Sequence, residues 1–182
     1  FEVSGQYSYN KRPTLILKRR KPRMKFTHTL AIAFALTATS GLAQEQRGES
    51  KATVAGKSVV VEYGRPVLAG RDMLGMAKVG APWRMGAGSP TSLKTEADLH
   101  FGAVALPKGS YVLTAVKNEK GDWTVIATDP ATKTKAAELP LVSSALPKSV
   151  EQFTIEVSAK ANAGEFAMMW GTAKMATPFT VK

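Results

Sequence analysis

Tyr63, Arg65, Arg71, Trp83 and Arg84 all fall in one stretch, Tyr63 to Thr91, read as YGRPVLAGRDMLGMAKVGAPWRMGAGSPT. Guanidinium forks bind carboxylate and phosphate through paired N–H donors. Indole and phenol rings offer a broad apolar wall with a polar handle. Together these types could hold a small anionic or carbohydrate ligand, with Arg65, Arg71 and Arg84 as donors and Trp83 and Tyr63 as the wall. A long basic connection rich in Gly and Pro is also where binding residues are usually carried. The alternative is internal: the arginines pair with Glu62, Asp72 or Asp98 and brace the loop. Either use requires a partner, because a buried guanidinium left unpaired is costly. Trp123 opens an apolar strand and Trp170 follows Met168-Met169, so both are expected in the core, whereas Trp83, between Pro82 and Arg84, is open to either role.

Other chemistry is thinly supplied. If the first 43 residues are removed, His100 is the one histidine that remains. A Ser-His-Asp hydrolase would use it with Ser89 or Ser92, yet no Gly-x-Ser-x-Gly elbow is present. Glu96 and Asp98, two apart on one strand face, would stand roughly 7 Å from each other, within the range that glycoside hydrolysis uses. That spacing is common on solvent-facing strands. With no cysteine and so little histidine, no zinc-ligand spacing appears. No phosphate-binding Gly-rich loop opens a helix. Catalytic, metal and cofactor sites are therefore not expected.

The chain has 25 basic and 14 acidic residues, a formal net charge of +11. Much of that lies at the N-terminus. Residues 1–23 read as upstream sequence ahead of a start at Met24. From Met24 a short positive segment, the apolar run Leu30 to Leu36 and small residues at Gly41-Leu42-Ala43 have the layout of a helical signal peptide over 24–43, with cleavage after Ala43. The run is too short to span a bilayer, which takes about 20 apolar residues. Residues 44–182 then hold 17 basic and 13 acidic residues, a net of +4. That is ordinary for a small domain and gives no support to nucleic-acid binding. The expectation is a periplasmic or secreted product without disulfides and without a stable membrane anchor.

Residues 44–51 read as a polar linker and 52–182 as one domain. Ala52–Val54 and Ser58–Tyr63 flank Ala55-Gly56-Lys57 as a hairpin, with Val59, Val61 and Tyr63 on one face. Tyr111–Val116 and Trp123–Thr128 surround a polar turn ending in Gly121-Asp122. Short strands are expected at Ser92–Thr95 and Ala97–Phe101. Phe153, Ile155 and Val157 alternate within Gln152–Ala159; Ala161 to Gly164 turns the chain into Glu165–Trp170, and Met175–Val181 ends it. Asp72–Lys78 could form one turn. The class predicted is all-β, a single antiparallel β-sandwich of jelly-roll-like or barrel-like form.

The segments VEYGRPVLAGRDMLG, APWRMGAGSPTSL, LPKGSYVLTAV and WTVIATD resemble the bacterial exported family catalogued as domain of unknown function 2911. The matching positions are Tyr63, Arg65-Pro66, Gly70-Arg71, Gly75, Trp83-Arg84, Gly86-Ala87, Thr91 and Pro107-Lys108-Gly109-Ser110-Tyr111. MMWGTAKMATPFTV also looks like the family's closing hairpin. The resemblance covers about Val59 to Val181 and implies export and a β-rich fold; it lends no activity. Where members commonly continue Gly-Ala-Asn-Glu, this chain has Gly86-Ala87-Gly88-Ser89, so an amide and a carboxylate that could pair with the arginines are missing. Three functions stay open: a binding module for a small anionic or carbohydrate ligand of the cell envelope, an envelope protein–protein interaction domain, and a carboxylate- or serine-based hydrolase.

Overall fold

The structure, a computed structural model, describes residues 46–181. The expected signal peptide (24–43) and the segment before it (1–23) lie outside the described residues. Nine strands follow in order: β1 (Arg47–Val54), β2 (Lys57–Gly64), β3 (Thr91–Thr95), β4 (Leu99–Phe101), β5 (Val104–Leu106), β6 (Gly109–Lys117), β7 (Trp123–Thr128), β8 (Lys135–Lys160) and β9 (Ala163–Val181). They pair as one sheet in the order β1-β2-β3-β6-β7-β8-β9-β4-β5, every ladder antiparallel. Among the described residues there is no helix.

Local chemistry accounts for the hairpins. Ala55 and Gly56 both take positive φ (49° and 75°), as a two-residue turn between right-twisted strands demands. The β6–β7 turn is held by the Asn118 carboxamide oxygen, which accepts the N–H groups of Lys120 and Asp122, both at 2.9 Å. Asp129 does the same before β8, accepting from Thr132 and Ala131. Those two backbone donors, Thr132 first, hold its carboxyl below the usual carboxylate range.

Period-two burial builds the core. Val59, Val61 and Tyr63 point inward from β2; Tyr111, Leu113 and Ala115 from β6; Trp123, Val125 and Ala127 from β7. β8 and β9 are long enough to serve two parts of the sheet. The first part of β8 turns Ala137, Leu139 and Leu141 inward beside β7. Register shifts between Ala145, Val150 and Thr154 then bend it, and Gly171 (φ 61°) sits in β9 opposite Val150. Bulges are the usual device by which a strand turns such a corner. Beyond it Phe153, Ile155 and Val157 face the core.

The bend brings the second part of β8 against β1. The Ser50 hydroxyl accepts the Val157 N–H (2.8 Å), and the Ala55 N–H reaches the Ala161 carbonyl (3.3 Å). The antiparallel all-β expectation is met as a single nine-stranded antiparallel sheet, and residues 46–181 enclose a core of their own strands.

Three strand expectations change. Residues 47–51, read as linker, are the first half of β1: their polar side chains alternate between exposed and half-buried while the backbone pairs with β2 from Arg47↔Gly64 onward. Residues 135–151 extend β8 far upstream of Gln152, because Glu138 and Pro140 face outward between buried Ala137, Leu139 and Leu141, and exposed Ser143, Ser144 and Ala145 follow. Glu165–Trp170 and Met175–Val181 are one strand, β9, bent rather than broken at Gly171. β5 is an additional three-residue strand. Asp72–Lys78 forms a single turn, closed by the Met76 N–H on the Asp72 carbonyl (3.1 Å).

Candidate functional site

The connection from Gly64 to Pro90 is tied down along its length. At its start the Arg65 N–H donates to the Gln46 carbonyl (2.7 Å), the Leu68 N–H to the Glu151 carbonyl (2.9 Å), and the Phe153 N–H to the Pro66 carbonyl (2.9 Å). The Glu151 carboxylate accepts the Ala69 N–H at 2.9 Å. The chain then makes the Asp72 turn, where a carboxylate oxygen accepts the Gly75 N–H (2.8 Å). It rejoins the sheet at β6: the Gly80 N–H meets the Lys117 carbonyl (2.9 Å), and Trp83 exchanges both backbone bonds with Ala115 (2.7 and 2.8 Å). Finally the Thr91 hydroxyl donates to the Met85 carbonyl (2.6 Å). Gly64 lies directly under this last part, where a Cβ would overlap the backbone of Ala87.

Three of the five expected site residues converge on Phe153, which is fully buried. Tyr63 meets it edge-on (5.9 Å between ring centroids, 89°), and Trp83 packs on it at 5.2 Å and 69°. Arg65 sends Nε to the Phe153 carbonyl (3.5 Å) and Nη2 to the Thr154 hydroxyl (3.4 Å). Trp83 also stacks on Trp170 (6.0 Å, 10°) and meets Trp123 at 5.7 Å and 68°. Trp83 is thus the outer member of an aromatic cluster that plugs the sheet, and Arg65 braces backbone through carbonyl and hydroxyl acceptors. The acids weighed as partners are engaged elsewhere: Glu62 with Arg47 (3.8 Å), Asp72 with Gly75, and Asp98 with the Lys108 N–H (2.7 Å).

Arg71 and Arg84 are different. Both are exposed. Arg71 uses Nε on the Leu68 carbonyl (3.1 Å), and no acceptor among the described residues meets its terminal nitrogens. It lines a half-open cleft of ≈ 410 Å³ between the 68–74 turn and the bend of β8 and β9. Asp72, Ser149 and Thr172 add polar groups to that cleft, and Leu68, Met73 and Trp170 add apolar wall. Arg84 lies outside it and has no hydrogen-bond or ion-pair partner among the described residues. The five residues therefore divide between a buried hub, a cleft and open surface.

Trp170 has two roles. Its indole N–H donates to the Glu151 carbonyl (3.3 Å) and the residue is nearly all buried, yet it borders the cleft. Ser149, Trp170 and Thr172 are cleft residues that spacing did not bring forward. The one local signal for them is Gly171, a positive-φ glycine inside an otherwise continuous strand.

The hydrolase candidates are dispersed. His100 is half-buried on β4, which pairs with β5 and β9. Ser89 is exposed in the loop before β3 and gives its carbonyl to Arg47 (3.0 Å). Ser92 is on β3. Glu96 and Asp98 each accept a backbone N–H, from Ser58 (2.9 Å) and Lys108, and so brace turns. No described hydrogen bond links these groups to one another. No cluster of metal-ligating side chains occurs among the described residues.

The model of a family described as Protein of unknown function (DUF2911) matches residues 45–179. No curated protein and no solved structure matches the chain.

Proposed function

The chain belongs to the DUF2911 family, described as proteins of unknown function, and on that premise we propose that it is a binding module for a small anionic ligand, a sugar acid included, taken up in the Arg71 cleft. The observation that carries this reading is the pairing in one cleft of an uncommitted guanidinium edge with an apolar wall of Leu68, Met73 and Trp170. Its volume of ≈ 410 Å³ falls in the range that small-molecule sites occupy. Arg71 supplies charge-assisted hydrogen bonds to a carboxylate or phosphate. Ser149 and Thr172 offer hydroxyls to the rest of the ligand, and Trp170 packs against its apolar face. Arg65, Tyr63 and Trp83 hold the loop from below and stay out of contact with the ligand. With the signal peptide expected over residues 24–43, the proposed site is one of the cell envelope.

A thermal-shift screen of Gln44–Lys182 against sugar acids, dicarboxylates, nucleotides and neutral sugars tests it. A ligand at 100 times its Kd adds about 2.7 kcal/mol, which for a domain of this size raises Tm by roughly 5–10 °C. The expected result is a shift for anions that Arg71→Ala removes while leaving the unliganded Tm in place. A shift that survives Arg71→Ala places the ligand elsewhere. A flat panel favours a protein partner.

A further inference from the structure

A second cleft lies at the other end of the β8–β9 hairpin. The bend of that hairpin, at Val150 and Gly171, borders the Arg71 cleft. Its tip, Ala161-Asn162, is bonded to two other parts of the chain: the Ala161 carbonyl accepts the Ala55 N–H (3.3 Å), and the Asn162 carbonyl accepts the Val181 N–H (2.9 Å). There a cleft of ≈ 400 Å³ is bordered by Ala55, Lys57, Glu96, Asp98, Lys108 and Val181. It shares no lining residue with the Arg71 cleft.

Strand register gathers the charges. Val59↔Thr95 and Thr95↔Gly109 set β2, β3 and β6 side by side, so Lys57, Glu96 and Lys108 fall at one end of three neighbouring strands. The Glu96 N–H donates to the Ser58 carbonyl (3.0 Å), and Glu96 Oε2 accepts the Ser58 N–H (2.9 Å). Asp98 Oδ1 accepts the Lys108 N–H (2.7 Å). Between the two acids the buried Thr95 hydroxyl donates to the Ala97 carbonyl (2.7 Å) and accepts the Ala97 N–H (3.2 Å), which fixes the corner. Each carboxylate is thus anchored by one oxygen, and the other meets no donor among the described residues. No ion pair among the described residues involves Lys57 or Lys108. Two cations and two anions border one cleft without neutralising each other.

We propose that this cleft binds a small zwitterion, an amino acid carrying one ammonium and one carboxylate. Lys57 and Lys108 donate to the ligand carboxylate, and the free oxygens of Glu96 and Asp98 accept from its ammonium. A simple anion meets like charge at the acids and a simple cation meets it at the lysines, so the mixed lining selects against both. The apolar lining, Ala55, Ala97 and Val181, is aliphatic and offers no ring on which a nucleobase or sugar face could stack. All four charged side chains are exposed, so one contact alone is worth little. Affinity comes from engaging both signs at once, and salt weakens it.

The Ser58 and Lys108 N–H groups, which donate to the two carboxylates, are built-in reporters. Isotope-labelled Gln44–Lys182, which contains the whole described core, is titrated with glycine, β-alanine, γ-aminobutyrate and ε-aminocaproate and followed by NMR. Acetate, methylammonium and calcium are the controls. Saturable shifts of both amides are expected with at least one of the amino acids, and weaker ones with every control. Glu96→Gln and Asp98→Asn keep an oxygen for the backbone N–H and should each weaken binding about fivefold, as should Lys57→Gln and Lys108→Gln. Equal affinity for acetate overturns the proposal and leaves an anion site on the lysines. Equal affinity for methylammonium or calcium overturns it and leaves a cation site on the acids. The absence of a saturable shift with any amino acid overturns it, as does wild-type affinity in all four folded variants. Arg71→Ala should leave these shifts in place, so failure here leaves the Arg71 reading standing, and the reverse holds too.

Discussion

The root and the tip of the 64–90 connection use the same residue types for opposite ends. At the root, Arg65 and Trp83 face inward and are consumed by the fold: one braces β8 backbone, the other closes an aromatic cluster on Phe153. At the tip, Arg71 and Lys78 are exposed, and Met76 and Val79 are left in water. The difference shows that residue type alone does not mark a site. What marks it is whether the polar atoms have already found partners within the fold.

That contrast can be broken most forcefully at Phe153. Truncating a buried phenylalanine costs about 3–5 kcal/mol, a large share of the stability of an ordinary domain. Phe153→Ala should therefore lose most of its urea resistance, measured as a drop in the denaturation midpoint. If it unfolds with near-wild-type stability, the hub is not an energetic centre. Trp83→Ala comes next, at about 3 kcal/mol, because the backbone exchange with Ala115 survives while the ring's contacts are lost. A loss under about 1 kcal/mol would return Trp83 to the candidates for ligand contact.

The arginine pair sharpens the comparison. Arg65→Ala removes two long hydrogen bonds and should cost about 1 kcal/mol, whereas Arg71→Ala, at the surface, should stay within about 0.5 kcal/mol. Ligand binding should respond in the reverse order. The smallest effect is at Tyr111, whose hydroxyl donates to the Pro107 carbonyl (2.8 Å). Burial, with Asp129 and Asp98 adding to it, raises its pKa above 10.0. The folded state then keeps a proton that the unfolded chain has already released. Stability is full below pH about 10 and falls as pH rises through the folded value. Tyr111→Phe should flatten that alkaline decline in a pH series of thermal melts.

Much of the sheet was legible because short-range chemistry sets it. Ala55-Gly56, Asn118 to Asp122 and Ala161-Asn162 each turn the chain between segments whose inward faces alternate, as at Val59, Val61 and Tyr63. Residues 135–151 were not legible. Pro140, Pro147 and a run of small polar residues deny that segment strand propensity of its own, and pairing with β7 and β9 overrides this. The site divides the same way. Arg71 stood out by type, but its cleft-mates Ser149, Trp170 and Thr172 come from β8 and β9. No spacing rule links positions so far apart; only the bend at Val150 and Gly171 does.

The hydrogen bond between Ser50 and Val157 bears on how the chain reaches this state. It joins residues 107 apart in sequence, so the closing contact cannot form on the ribosome until nearly the whole chain has emerged. β1 and β2 can zip as a local hairpin early. β1 then waits for β8 to be made and bent, and the two meet through the Ser50 hydroxyl rather than through a strand ladder. Loop-closure entropy makes such non-local steps slow, so the closing seam is expected to set the refolding rate. Ser50→Ala should slow the final phase more than it lowers the melting temperature. An exposed β1 edge in that interval is also the surface most open to capture by a chaperone.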